Sequence, residues 1–398
     1  MVSASGDSLL DLGHRQPLSW SNLFTVFLPP ALLYYLTNVL ALLGPKTFVA
    51  RLALLPVTLG FAIRAAVSLD VARGLLPTNP GGLEYLNQFL ALAMHTASTR
   101  SFLRTFAATP TRLNHQSTNL YADALDLTFN LRGVGWSFSS NMQLPVEYRP
   151  LTSRSIFLVS VLKSLASHIL AFDFFHYIAQ SLGPDHVGST AGFSIFDPSL
   201  QNPLTRHLNA STLTLLVGIC IYAAVEIGHQ VLTLIHVGVF RISPSECPPL
   251  FDSPWYATSL TDFWAVRWHQ VFRQEFIGVG GKPLSLIFGR IGLVFGAFLV
   301  SGILHFVGLW GMNKGADTRI IFFFLTMGLG ILVEGLWKSV SGWRVCGVAG
   351  WLWTASWLIG FGFLMTDPWC QSGLIGSVFI PHEYRPAVLL HRLLVTTT

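Results

Sequence analysis

Apolar runs of about a membrane's width recur along this 398-residue chain, and they constrain its fold more than any other feature. A helix needs about 20 residues to cross about 30 Å of hydrocarbon, where every backbone polar group must be bonded within the segment. Such runs lie near 22–43, 48–69, 155–181, 211–240, 284–308, 318–337 and 346–365, with a shorter, weaker one near 84–97. Together they predict an all-α polytopic membrane protein with about eight transmembrane helices. Pro29-Pro30 predicts a kink in the first run. Hydrophobic residues make up 52% of the chain and charged residues 11%, which leaves no stretch suited to a soluble domain. A single membrane-embedded domain, 1–398, is expected. Four scattered cysteines form no CxxC pair and suggest neither a disulfide framework nor a zinc site. The first twenty residues lack a basic segment followed by an apolar one, so no cleavable leader is expected and the first span is the targeting element.

The net charge of +5 is concentrated in a few loops, which suits orientation in a bilayer and not binding to nucleic acid. Arginines and lysines cluster in 98–154, in 241–283, in 338–345 and at Lys46. With eight spans these segments share one side, which the positive-inside rule makes cytosolic, and both termini lie on the other.

Ionisable residues at membrane depth are costly and are functional candidates by default. Asp173 and His176 share a helix face, as do Glu226 and His229. They read either as a site between helices or as interhelical polar contacts. A sharper alternative is a metal-dependent membrane oxidoreductase, because Asp-x-x-His and Glu-x-x-His on facing helices resemble half of a di-iron site, with His269 and His305 nearby. The tight histidine boxes that would gather many imidazoles around one metal are missing. A transporter would show two similar halves with broken helices, and none is visible. His305 ends an apolar run with no charged neighbour closer than Lys314. A low-dielectric setting keeps such an imidazole neutral, as a general base requires; the bland alternative is a bond to a backbone carbonyl.

The densest polar stretch is 259–281, where Asp262, Arg267, His269, Gln270, Arg273, Gln274 and Glu275 fall among Trp264, Trp268 and several Phe. It reads as an amphipathic interfacial helix, on which His269 and Arg273 would point together. Upstream, Arg132-Gly133-Val134-Gly135-Trp136 lacks the strand and third glycine of a dinucleotide fingerprint. Its glycines predict a tight turn, with Arg132 holding an anionic group or anchoring at the headgroups.

Trp268-His269 followed 36 residues later by His305, together with Asn130–Trp136 and the FDFFHY run, resembles the wax synthase-like branch of the membrane-bound O-acyltransferases (MBOAT). In that superfamily a Trp followed by Asn or His precedes an intramembrane His. The likeness covers about residues 128–310, and His269 stands where many members carry Asn.

What the resemblance implies is acyl transfer from acyl-CoA to a hydroxyl, in an endoplasmic-reticulum-type membrane, with no bound cofactor and no metal. Fungal members of this size are similar to acetyltransferases of terpenoid and meroterpenoid pathways, so acetyl-CoA and an apolar hydroxylated acceptor are the implied co-substrates. Long-chain transfer to fatty alcohols or sterols is the alternative within the family. His305 is the implied base and His269 its partner at the thioester or the oxyanion. Arg267, Arg273 and Arg132 are candidates for the CoA phosphates. Trp268, Trp136 and Asp173 complete the candidate binding residues.

Overall fold

A computed structural model describes residues 14–78, 80–113, 119–183 and 185–396. Residues 1–13, most of the stretch on which the expectation about a leader rested, lie outside the described residues. The chain is an all-α polytopic membrane protein with seven helices apolar and long enough to span, among the described residues. The helices are α1 (Leu28–Leu42), α2 (Phe48–Ser68), α3 (Tyr85–Phe106), α4 (Leu120–Phe129) and α5 (Arg154–Ser181). They continue with α6 (Pro203–Leu234), α7 (Lys282–Gly311), α8 (Arg319–Ser341), α9 (Gly347–Gln371) and α10 (Pro386–Thr396).

The eighth expected span is α3, and it is not apolar enough to count as one. Its Arg100 and Arg104, expected in a basic loop, are instead buried helical residues. An odd number of crossings does not return a chain to its starting side. The shared side expected for both termini, and for Lys46 with the later basic loops, rests on α3 as a crossing.

The chain divides into two compact units, one made of residues 1–140 and 271–328 and the other of 141–270 and 329–398. In the first unit α3 packs against α1, α2 and α7. Pro29 and Pro30 sit in the first turn of α1, and a π-helical turn at Leu23–Phe27 takes up the irregularity ahead of them. A short parallel pairing of Gln16–Pro17 with Leu69–Asp70 closes the N-terminal end. Buried Arg15 ties it down, donating to Gly311 O at 2.6 Å and Ala66 O at 2.7 Å.

The apolar run expected as one span at 284–308 is a helical hairpin. Gly289 takes φ 56° and ψ −135°, a conformation open to glycine, and interrupts the helix there. The 276–281 π-helical turn then lies against the later part of α7. A Cβ on Gly280 would stand 2.0 Å from Gly296 O, and one on Gly296 2.3 Å from Gly280 O. Two facing glycines allow backbone to meet backbone. The arm from 276 to 288 is about 20 Å long and cannot cross the hydrocarbon, whereas 290–311 is about 33 Å and can. Leu286 and Ile287 are 88% and 73% exposed, as residues facing lipid are.

In the second unit α5 packs along α6, α9 against α6, and α10 against α5. Apolar contacts carry these pairings, for example Phe172 with Cys220, Ala223 and Phe379.

Candidate functional site

His305 lies in the spanning arm of α7, two helical turns before its end. Its Nδ1 is 2.8 Å from Ser301 O. A carbonyl can only accept, so Nδ1 carries the hydrogen and Nε2 carries the lone pair. The Phe324 ring lies 4.5 Å away, tilted by 31°. The carbonyl contact and the chemistry of a base, posed as alternatives by the sequence, are thus compatible: the first fixes the tautomer that the second needs.

Arg273 opens the helical turn Arg273–Glu275 at the foot of the hairpin. Two arginines of α3 hold that turn. Buried Glu275 accepts from Arg100 Nε, and Gln274 accepts from Arg104 Nη2 at 3.4 Å. Arg100 also donates to Leu131 O, which joins the 130–140 loop to the same cluster. In that loop Gly133 and Gly135 have φ of 68° and 82°, as the expected tight turn requires. Arg132 is buried, and its carbonyl accepts from Ser139 at 2.8 Å. Trp136 is 1% exposed, donates to Asp126 at 2.6 Å and carries Arg112 over its ring at 4.4 Å. Its position is that of a core residue of the first unit.

The Trp268-His269 segment belongs to the second unit and is not the continuous amphipathic helix expected. Leu260–Asp262 is a single turn, Phe263–Arg267 is π-helical, and Trp268 is extended at φ −75° and ψ 152°. His269 and Arg273 therefore do not stand at helical spacing. Long-range bonds hold this irregular loop where helix ladder bonds are missing. Glu334 of α8 accepts from Leu260 N at 2.6 Å, Thr261 N at 3.1 Å, Thr261 Oγ1 at 2.8 Å and Trp353 Nε1 at 3.0 Å. Arg267 pairs with Asp262 at 2.7 Å and donates to Asp252 O at 3.0 Å, while Asp252 N donates to Arg267 O at 2.9 Å. Gln270 donates to Trp264 O and Trp268 O at 3.0 and 2.9 Å. Trp268 stacks on Phe263 at 5.1 Å, and His269 meets Phe251 edge-on at 5.6 Å. Glu334 was not singled out from sequence, although an acidic residue inside an apolar run is the signal that marks it.

Asp173 is 1% exposed and engaged at both oxygens, by Arg385 Nε at 2.6 Å and by Ala387 N at 2.8 Å. His176 Nε2 donates to Ile375 O at 2.7 Å, and Gln180 donates to the same carbonyl at 2.8 Å. These contacts dock the C-terminal segment on α5. They border a cavity of about 380 Å³ that Tyr177, Phe379 and His382 also line. His229 donates to Pro248 O at 3.1 Å, and Glu226 accepts from Gln230 at 3.2 Å. Among the described residues no group of three His, Cys, Asp or Glu is placed to hold a metal ion. The oxidoreductase alternative has no support: the α5 pair binds the C-terminal segment, and the α6 pair binds Gln230 of its own helix and Pro248 of a loop.

His305, Arg273, Arg132 and Trp136 lie in the first unit, and Arg267, Trp268, His269 and Asp173 in the second. Residues 247–326, which hold the Trp268-His269 pair, the hairpin and His305, match the membrane bound O-acyl transferase family. Over this stretch the chain is similar to the membrane-bound O-acyltransferases, as its motif spacing implied. It is 32% identical over 133 residues to acetyltransferase spyB of Aspergillus fumigatus, a match covering 30% of this chain and 22% of that protein. It is 33% identical over 139 residues to acyl-CoA–sterol O-acyltransferase 1 of Arabidopsis thaliana, covering 32% and 39%. A longer match, 22% identical over 352 residues, joins it to O-mevalon transferase yanI of Aspergillus niger, covering 74% and 72%. The first of these matches thus span well under half of the relatives' own lengths.

Proposed function

We propose that this chain is a membrane O-acyltransferase that moves an acetyl group from acetyl-CoA to a hydroxyl of an apolar secondary metabolite, a terpenoid or meroterpenoid. The observation that carries the reading is His305, held by Ser301 O in the tautomer whose Nε2 can take a proton. The family match and the acetyltransferases among the relatives support the reaction class. The acceptor hydroxyl gives its proton to His305 Nε2, and its oxygen attacks the thioester carbonyl. The tetrahedral intermediate collapses with loss of the C–S bond, and the CoA thiolate takes the proton back from His305. The ester and CoA leave. His269 is proposed to hold the thioester carbonyl, where a donor stabilises the developing oxyanion. Arg273 and Arg132 are proposed for the CoA phosphates, with Arg267 and Trp268 as further candidates for binding the acyl-CoA. The membrane is proposed to be of the endoplasmic-reticulum type.

General base catalysis contributes about 10²–10⁴-fold, so His305→Ala should lower turnover at least a hundredfold in folded protein. Membranes bearing the chain are given acetyl-CoA or palmitoyl-CoA with a panel of terpenoid, sterol and fatty alcohols. Acetyl esters that vanish in His305→Ala support the proposal. Long-chain esters keep the reaction class and replace the donor, in line with the sterol acyltransferase relative. Turnover by His305→Ala near the wild-type rate refutes the base.

A further inference from the structure

Within the first unit, α3 and α7 are packed unusually closely, and the contact sets their register. A Cβ on Gly311 would stand 2.7 Å from Ala91 Cβ and 2.8 Å from Asn87 O. One on Gly308 would stand 3.0 Å from Leu92 and 3.4 Å from Gln88. Ascending α7 therefore meets descending α3: the helices are antiparallel. One turn back from Gly308 is His305, and one turn on from Leu92 is His95. The register of the contact thus sets the two imidazoles at one level of this interface. The Nδ1 atom of His95 is buried, and no hydrogen-bond partner for it occurs among the described residues. An unmet buried polar atom costs about 1–3 kcal/mol, and a ligand oxygen at this place would remove that cost.

We propose that His95 is the second imidazole of the reaction centre, its Nδ1–H donating to the oxygen of the acceptor hydroxyl while that hydroxyl donates to His305. This rests on the proposed role of His305 as base. A hydroxyl satisfies both rings, since its oxygen accepts from one as its hydrogen goes to the other. As the proton moves to His305, the oxygen gains negative charge and the bond from His95 strengthens. His95 thereby contributes to the chemical step and selects for an alcohol over an acceptor lacking the oxygen. The charge-balanced step is the one given above, with no added reactant.

The test uses the position of the nitrogen. The amide nitrogen of Asn overlays imidazole Nδ1, and that of Gln overlays Nε2. With the acyl-CoA and alcohol pair that wild-type membranes esterify fastest, His95→Ala should lower kcat about 10²-fold and leave KM for acyl-CoA unchanged. His95→Asn should recover most of the rate, and His95→Gln should not. Equal rates in the Asn and Gln variants overturn the proposal, as does a wild-type rate in His95→Ala. If His95→Ala fails to fold, the Asn and Gln pair, closer in volume to His, still decides. A His305→Ala variant with wild-type turnover, or no ester from wild-type with any pair, brings down the parent reading and this one with it. Loss in His305→Ala with full activity in His95→Ala brings down this one alone.

Discussion

Arg385 and Asp173 form an ion pair at 2.6 Å across 212 positions of sequence, and both side chains are buried. The second oxygen of Asp173 accepts from Ala387 N at the start of α10, so one carboxylate in a membrane helix fixes the C-terminal segment. Removing one partner of a buried pair leaves an uncompensated charge, at about 3–5 kcal/mol. Asp173→Ala should therefore depress the unfolding midpoint in detergent sharply, whereas Asp173→Leu combined with Arg385→Met should restore much of it. A folded, stable Asp173→Ala protein with a raised KM for acyl-CoA would instead make Asp173 a binding residue.

The hairpin depends on Gly289. An alanine there would be held in a glycine-only region, costing about 1–3 kcal/mol. Gly289→Ala should lower thermal stability, while Gly360→Ala should not. Gly360 lies within α9 and a Cβ there meets nothing within 4 Å. Equal behaviour of the two variants would contradict a sharp reversal at 289.

Glu334 orders the loop that carries Trp268 and His269, through four donors on 260, 261 and 353. Glu334→Ala should release that loop. A displacement of about 1 Å at a positioning residue can lower the rate about 10²-fold, and the ester-forming assay should show a loss of that order. Glu334→Gln, which keeps an acceptor oxygen, should lose less. Full activity in the alanine variant would detach the loop from the chemistry.

Glu84 precedes α3 and pairs with Lys314 at 3.2 Å. Burial pushes its carboxyl above the ordinary value of 4.5, and Lys314 offsets part of the effect. A carboxyl raised in the fold binds its proton more tightly there than in the unfolded chain. Its contribution is most favourable below 4.5 and is lost as pH rises through the folded value. Unfolding temperatures measured on either side of that window should fall less with rising pH in Glu84→Gln than in wild type. Identical slopes would assign the pH dependence elsewhere.

The sequence by itself determined the class of fold, the likeness to the O-acyltransferases and the choice of 259–310 as the candidate stretch. Hydrophobic runs, the Trp268-His269 pair and the spacing to His305 are local facts of the chain. Tertiary structure decided what those runs become. The run at 284–308 is as apolar as any span, yet it reverses at Gly289, because Gly280 and Gly296 lack side chains and let two backbones touch. The polar segment before it has helical spacing, yet it breaks at Trp268, because Glu334, Asp252 and Gln270 bind its backbone better than a helix ladder would. Asp173 stands as a charge inside an apolar run, and nothing near it in sequence reveals that Arg385 meets that charge. His95 lies in a weak and polar run, and only the glycines of α7 place it level with His305. Hydropathy and short spacings are properties of neighbours along the chain, whereas a hydrogen-bond partner or a backbone contact two hundred residues away exists only once the chain has folded.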